Sequence, residues 1–186
     1  DPDRSQETEI ITQGQIIAEI VDQCEAAQDG DIFSNIFITA PTGSGKSILF
    51  QIPAIYLAEK YNLVTIVVSP LIALMNDQVD QLQRERGISI AACINSSMSI
   101  EERSDVIDQI HAGKKSLLYL APELLLTTHL QSFLGGRQVG MVVIDEAHTV
   151  TSWGRDFRSD YWFLGGFLKQ TARDGLSFPV LCLTAT

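Results

Sequence analysis

Val64-Thr65-Ile66-Val67-Val68-Ser69 and Gly140-Met141-Val142-Val143-Ile144-Asp145 are apolar at consecutive positions rather than at every second one. A strand with one wet face alternates, whereas a strand apolar on both sides is covered on both, as in a mostly parallel sheet with helices above and below. Working outward from these two runs, short β-branched stretches recur at 35–39, 63–69, 88–93, 116–120, 139–144 and 180–184. Longer amphipathic patterns at 14–27, 46–60, 72–86, 100–112 and 161–173 fill the intervals. The alternation predicts an α/β fold: a three-layer α/β/α domain around a mostly parallel sheet. Its crossovers should be right-handed, and ligands should sit where the loops gather at the carboxyl ends of the strands.

Composition narrows the class. With 186 residues, 45% apolar and 19% charged, the chain can bury one sizeable core and is expected to be one domain rather than a disordered segment. Thirteen Lys plus Arg against 23 Asp plus Glu give a net charge of -10, which argues against a generally basic nucleic-acid coat or an anionic-membrane binder. A local basic groove remains open. The longest nearly apolar stretch, 63–74, is broken by Thr65, Ser69 and Pro70 and falls short of the ~20 residues a membrane helix needs, so no membrane partner is expected. Cys24, Cys93 and Cys182 form no CxxC pair, which suggests neither a disulfide framework nor a zinc module. An intracellular location fits best, cytoplasmic in a prokaryote or nuclear in a eukaryote. The chain starts at Asp1 and stops just after an apparent strand, so it is expected to be a piece of something longer, with residues 1–12 a frayed lead-in.

Ala40-Pro41-Thr42-Gly43-Ser44-Gly45-Lys46-Ser47 lies between a strand pattern and a helix pattern, the context a phosphate-binding loop requires. Gly43 and Gly45 permit backbone conformations that a Cβ would obstruct, so successive N–H groups, including those of Thr42 and Ser44, can turn around phosphate oxygens at the positive end of the following helix. Lys46 supplies a point charge for the β and γ phosphates, and the Ser47 hydroxyl can take one position on Mg²⁺. A chance Gly-x-Gly-Lys-Ser/Thr in a chain of this length has a probability on the order of 1 in 100. Placement between strand and helix lowers it further, so a nucleotide with Mg²⁺ is expected.

Val142-Val143-Ile144-Asp145-Glu146-Ala147-His148 then puts two carboxylates at the carboxyl end of a buried strand. Asp145 can hold Mg²⁺ through its water shell, and Glu146 can point at an attacking water and take its proton. The plain alternative is an acidic helix start, favoured by the helix dipole. Pairing with the phosphate loop favours the catalytic reading. His148 could link the nucleotide site to a neighbouring loop.

Taken in order, APTGSGKS (40–47), SPLIALMNDQ (69–78), LAPELL (120–125), DEAH (145–148), TSWGRDFRSDY (151–161) and LTAT (183–186) resemble the first RecA-like lobe of RecQ-family superfamily 2 DNA helicases over residues 14–186. The DEAH box alone would indicate only the superfamily, whereas the aromatic-rich segment after it is specific to the family. The resemblance implies an ATP- and Mg²⁺-dependent motor that couples hydrolysis to movement on single-stranded or partly duplex DNA. It implies that Trp153, Asp156 and Phe157 sense the strand. Read from the residues alone, Trp153 and Phe157 flank Arg155, with Arg158 close by, so base stacking and phosphate contact are both available. Ser69, Pro70, Leu71, Asn76 and Gln78 match a DNA-backbone contact motif, Pro122 a second one, and Thr184 and Thr186 the motif that ties hydrolysis to strand movement. Tyr161, Trp162, Phe163 and Phe167 suit a core-facing helix.

Gln15 matches the family's adenine-reading Gln, and its amide can give adenine one donor and one acceptor. The Arg that accompanies it in the family is missing, and the interval from Gln15 to Lys46 is longer than the family norm. Arg155 stands where the family usually has His. These departures suggest a divergent RecQ-like motor. A superfamily 2 motor hydrolyses ATP between two lobes, the second supplying arginines, and the sequence carries no second lobe; the resemblance therefore implies such a lobe as a partner, with a larger assembly as a further candidate. Two other readings stand beside this one: an RNA helicase or double-strand translocase, and a non-hydrolysing nucleotide-dependent clamp.

Overall fold

A computed structural model describes residues 10–122, 124, 133–147 and 177–185. Its elements follow the chain in the order α1 (Gln13–Asp29), β1 (Ile36–Thr39), α2 (Lys46–Tyr61), β2 (Val64–Val68), α3 (Ile72–Arg86), β3 (Ala91–Ile94), α4 (Ile100–His111), β4 (Leu117–Leu120), β5 (Val139–Ile144) and β6 (Val180–Thr184). The six strands form one sheet in the order β1-β6-β5-β2-β4-β3, and every pairing is parallel. The helix expected at 161–173 lies outside the described residues.

The continuous apolar runs are buried along their whole length: all residues of β2, β4 and β5 are inside. One face of the sheet packs Leu49, Phe50, Ala54 and Leu57 of α2, Ile20 and Cys24 of α1, and Met75 and Leu82 of α3 against Val67, Tyr119 and Val143. The other packs Ile110 of α4 with Leu124, Phe133 and Leu134 against Ile66, Val142 and Ile144. Both faces are therefore covered at the middle of the sheet, as the sequence pattern requires. β1 is an edge strand and alternates instead, leaving Phe37 67% exposed.

β3 begins at Ala91, three residues later than the apolar run at 88–93 suggests. The cause is the way α3 ends. Gly87 takes a left-handed conformation (φ 66°), and both its N–H and that of Ile88 return to the Leu82 carbonyl, so Ile88 still belongs to the helix terminator. The Ile90 carbonyl then accepts from Ser116 and Leu117 N–H before regular pairing starts.

α1 and α2 are joined by more than apolar contact. The Glu25 carboxylate accepts from Lys60 Nζ (2.6 Å), the Tyr56 hydroxyl (2.6 Å) and the Tyr61 hydroxyl (2.7 Å), and Lys60 sits about 5 Å from both rings, at 5.1 and 5.0 Å. The Lys60 ammonium first, then the two phenols, hold the Glu25 carboxyl at about 2 against an ordinary 4.5. A depressed carboxyl stabilises the fold above its unfolded value and loses that contribution as pH falls from about 4.5 to about 2. Urea midpoints measured down that pH interval are expected to fall less steeply for Glu25→Gln than for the unaltered chain; parallel profiles would remove the tie.

Candidate nucleotide site

At the carboxyl edge the strand ends are laced together beyond the strands themselves. Ala40 N–H donates to Thr184 O (3.0 Å), Ala147 N–H to Leu183 O (2.8 Å), Asp145 N–H to Val68 O (3.0 Å) and Ser69 N–H to Leu120 O (3.2 Å). β6 lies between β1 and β5, so Thr184 stands between the phosphate loop that leaves β1 and the carboxylate pair that leaves β5. Spacing alone placed the two acidic and phosphate motifs at one edge; the strand between them is visible only in the sheet order.

The loop itself is exposed from Pro41 to Gly45 and turns through a Ser44 N–H to Pro41 O bond of 3.2 Å. Gly43 and Gly45 both have φ 80°, the left-handed region that a side chain resists. A Cβ at Gly45 would also lie 2.9 Å from the Gln13 amide nitrogen, the end of a flexible side chain that would have to shift. Lys46 folds back across the loop, its ammonium donating to Ala40 O (2.9 Å) and Pro41 O (3.3 Å). Lys46 and Ser47 open α2, where free N–H groups and the helix dipole favour an anion. An accessible loop with two left-handed glycines, a lysine tethered across it and a hydroxyl at a helix start fits a nucleotide's phosphates. Ser47 and Asp145 supply the oxygen donors that Mg²⁺ prefers.

Asp145 directly follows β5, and its carboxylate accepts the Glu146 N–H at 2.9 Å. Glu146 has φ 51°, one of two non-glycine residues in the left-handed region among those described. Such a conformation costs roughly 1–3 kcal/mol and persists where the surroundings impose it, which is frequent at functional sites. Here the bonds from Asp145 and Ala147 to the flanking strands impose it. His148 lies outside the described residues.

Gln15 is placed differently from the adenine-reading expectation. It is the third residue of α1 and completes a capping box: its carboxamide oxygen accepts from Thr12 N–H (2.8 Å) and the Thr12 hydroxyl (2.8 Å), while Gln15 N–H donates to Thr12 Oγ1 (3.3 Å). In this arrangement the acceptor that adenine recognition would use is engaged by the cap. Gln13, not singled out from sequence, reaches the phosphate loop instead, donating from Nε2 to Ser44 O at 2.8 Å.

Among the expected DNA-contact residues, Leu71 (41% exposed) and Asn76 are accessible at the start of α3. Ser69 is 2% exposed with its hydroxyl buried and unpartnered, and Pro122 is buried, so neither side chain is presented to a strand outside. Gln78 is half-buried and turned inward, accepting from Gln51. Thr184 is 1% exposed and faces the inside of the edge. Trp153, Arg155, Asp156, Phe157, Arg158 and Thr186 lie outside the described residues.

The whole of this region, residues 12–186, matches the DEAD/DEAH box helicase model. The chain belongs to the DEAD/DEAH box helicase family. It is 42% identical over 149 residues to the ATP-dependent DNA helicase RecQ of Haemophilus influenzae, covering 80% of this chain and 22% of that protein. It is 39% identical over 158 residues to the ATP-dependent DNA helicase Q5 of Rattus norvegicus, covering 82% of this chain and 15% of that one. The chain thus spans less than a third of the length of these curated relatives. The DUF1998 helicase MrfA shares the fold, with a TM-score of 0.67 at 22% identity over 98% of this chain and 28% of MrfA. The relatives bear out the RecQ-like resemblance, and the solved structure bears out the α/β fold. Among the described residues, no helix is long and apolar enough to cross a membrane.

Proposed function

We propose that residues 1–186 are the ATP-binding lobe of a RecQ-type motor that couples ATP hydrolysis to movement on single-stranded DNA. The observation that carries this is the lacing of one sheet edge, where the phosphate loop, Thr184 and the Asp145–Glu146 pair follow one another on adjacent strands. Lys46 and the loop N–H groups would hold the phosphates of ATP. Ser47 and Asp145 would hold Mg²⁺, which when bound neutralises charge on the phosphates. Glu146 orients the attacking water and receives its proton, and Thr184, tied through its carbonyl to Ala40, senses what the loop holds.

Trp153, Arg155, Asp156, Phe157 and Arg158 are proposed to engage the DNA strand, with Leu71 and Asn76 contributing at the start of α3. A second lobe completes the motor by supplying arginines to the transferred phosphoryl group, a contribution worth roughly 10³ to 10⁵ in rate. The test is hydrolysis by the complete protein with and without single-stranded DNA, RNA or duplex DNA. Stimulation confined to single-stranded DNA supports the proposal; stimulation by RNA or duplex alone, or none despite nucleotide binding, removes it. Trp153→Ala is expected to reduce the stimulation roughly tenfold, the scale of one lost stacking contact, without changing nucleotide affinity. Unchanged stimulation would end the coupling role of that segment.

A further inference from the structure

Gln51 is an anomaly in α2. It sits in the apolar string Ile48-Leu49-Phe50-Gln51-Ile52-Pro53-Ala54 and is 3% exposed. A carboxamide buried so deeply loses its water and must be paired, or it costs on the order of 1–3 kcal/mol. It is paired on both sides. Nε2 donates to Gln78 Oε1 of α3 at 2.8 Å and to the Tyr119 hydroxyl of β4 at 3.3 Å, and Oε1 accepts from Arg86 Nη1 of α3 at 3.4 Å. Tyr119 is itself 1% exposed and packs edge-on against Phe50, with ring centroids 6.3 Å apart.

The position of these groups matters more than their number. Gln51 is four residues after Ser47, so the two share one face of α2 a single turn apart. Tyr119 pairs with Val67, which pairs with Val143, and Asp145 is two residues on, so Tyr119 and Asp145 belong to the same face of the sheet. Burial pushes the Tyr119 phenol up, and the nearby Asp145 carboxylate pushes it further in the same direction. Gln78 lies on α3, whose N-cap Leu71 and second-turn Asn76 are the accessible part of the expected DNA-contact motif.

We propose that Gln51 is a positioning residue: its buried carboxamide links the phosphate-binding helix to α3 and to Tyr119, and so transmits strand engagement at the start of α3 to the Ser47–Asp145 end of the nucleotide site. The inference rests on the motor reading above. The link is constrained because the Gln51 carboxamide belongs to a residue 3% exposed and the Tyr119 hydroxyl to a residue 1% exposed. A shift of α3 relative to α2 must either carry the Gln51 carboxamide with it or leave a buried polar group unpaired. The same network reassigns Gln78 from surface contact to internal link.

Two variants of the complete protein test this. Gln51→Met keeps the length and removes both donor and acceptor; Tyr119→Phe removes one hydroxyl from an otherwise intact ring. The expected result is that each lowers the ratio of DNA-stimulated to basal ATP hydrolysis by roughly tenfold, within the usual range of coupling between two sites. Basal kcat and the KM for ATP without DNA should stay within about twofold, and the double variant should be no worse than the weaker single one, because both cut the same link. A ratio unchanged in Tyr119→Phe, or one that falls only in step with basal kcat and thermal midpoint, overturns the link and leaves the motor reading standing. An unaltered protein that shows no DNA stimulation overturns both.

Discussion

Glu146→Gln in the complete protein is expected to lower DNA-stimulated ATP hydrolysis by roughly 10²- to 10⁴-fold, the range that a positioned general base supplies, while nucleotide affinity changes little. The separation of the two effects follows from the geometry. The groups available to the phosphates, Lys46 and the loop N–H groups, open α2 and line the turn after β1, whereas Glu146 leaves β5 two strands away. The substitution keeps the size of the side chain and its backbone N–H bond to Asp145, so the left-handed turn at φ 51° has no reason to relax. Glu146→Gly tests the strain itself. It should abolish hydrolysis equally while changing the thermal midpoint little, since relief of the left-handed strain is offset by glycine's larger unfolded-state entropy. Full hydrolysis by Glu146→Gln would transfer the role of base elsewhere.

The fold was legible because its central strands are apolar at nearly every position, Thr65 of β2 being the polar exception, and are buried throughout. β2, β4 and β5 have no polar side to misplace, and their bounds in the structure fall within a residue or two of the sequence runs. β3 was misjudged at its start because a helix terminator and a strand start compete for Ile88, and the local pattern does not say which hydrogen bond wins. At the site, the turns at the phosphate loop and at Asp145–Glu146 were legible because each motif carries its own local backbone geometry, while the roles of their side chains belong to the proposal above. The capping role of Gln15 was not legible, although Thr12-Gln13-Gly14-Gln15 is a capping-box string and the structure uses the oxygen for the cap. Gln78 was read as a surface contact because its partner Gln51 is 27 residues away, and Tyr119 is 68 residues from Gln51. Long-range polar pairing of this kind leaves only one trace in sequence, a polar residue inside an apolar helical string.

Arg137→Ala should cost the 186-residue chain about 2–4 kcal/mol of stability, a large effect for one half-buried residue. Arg137 lies at the amino-terminal edge of the sheet, opposite the nucleotide site, and its guanidinium gathers three separate chain segments. Nε and Nη2 donate to Asn62 O (3.3 and 3.2 Å), Nη1 to Ile110 O (3.1 Å) and Lys115 O (2.6 Å), and Nη2 also to Ser116 Oγ (2.7 Å). Those acceptors belong to the left-handed turn after α2, the last turn of α4 and the lead-in to β4. Three are backbone carbonyls and one is a hydroxyl, and the planar fork serves them together, which a lysine ammonium cannot do. Arg137→Lys should therefore recover less than half of the loss. Burial draws the guanidinium's pKa down from its ordinary value, but the group stays charged at neutral pH, so no pH dependence near 7 should accompany the loss. Urea midpoints for the three forms decide the matter. A loss under about 0.5 kcal/mol for Arg137→Ala, the level of an ordinary surface change, would show that water satisfies these carbonyls equally well.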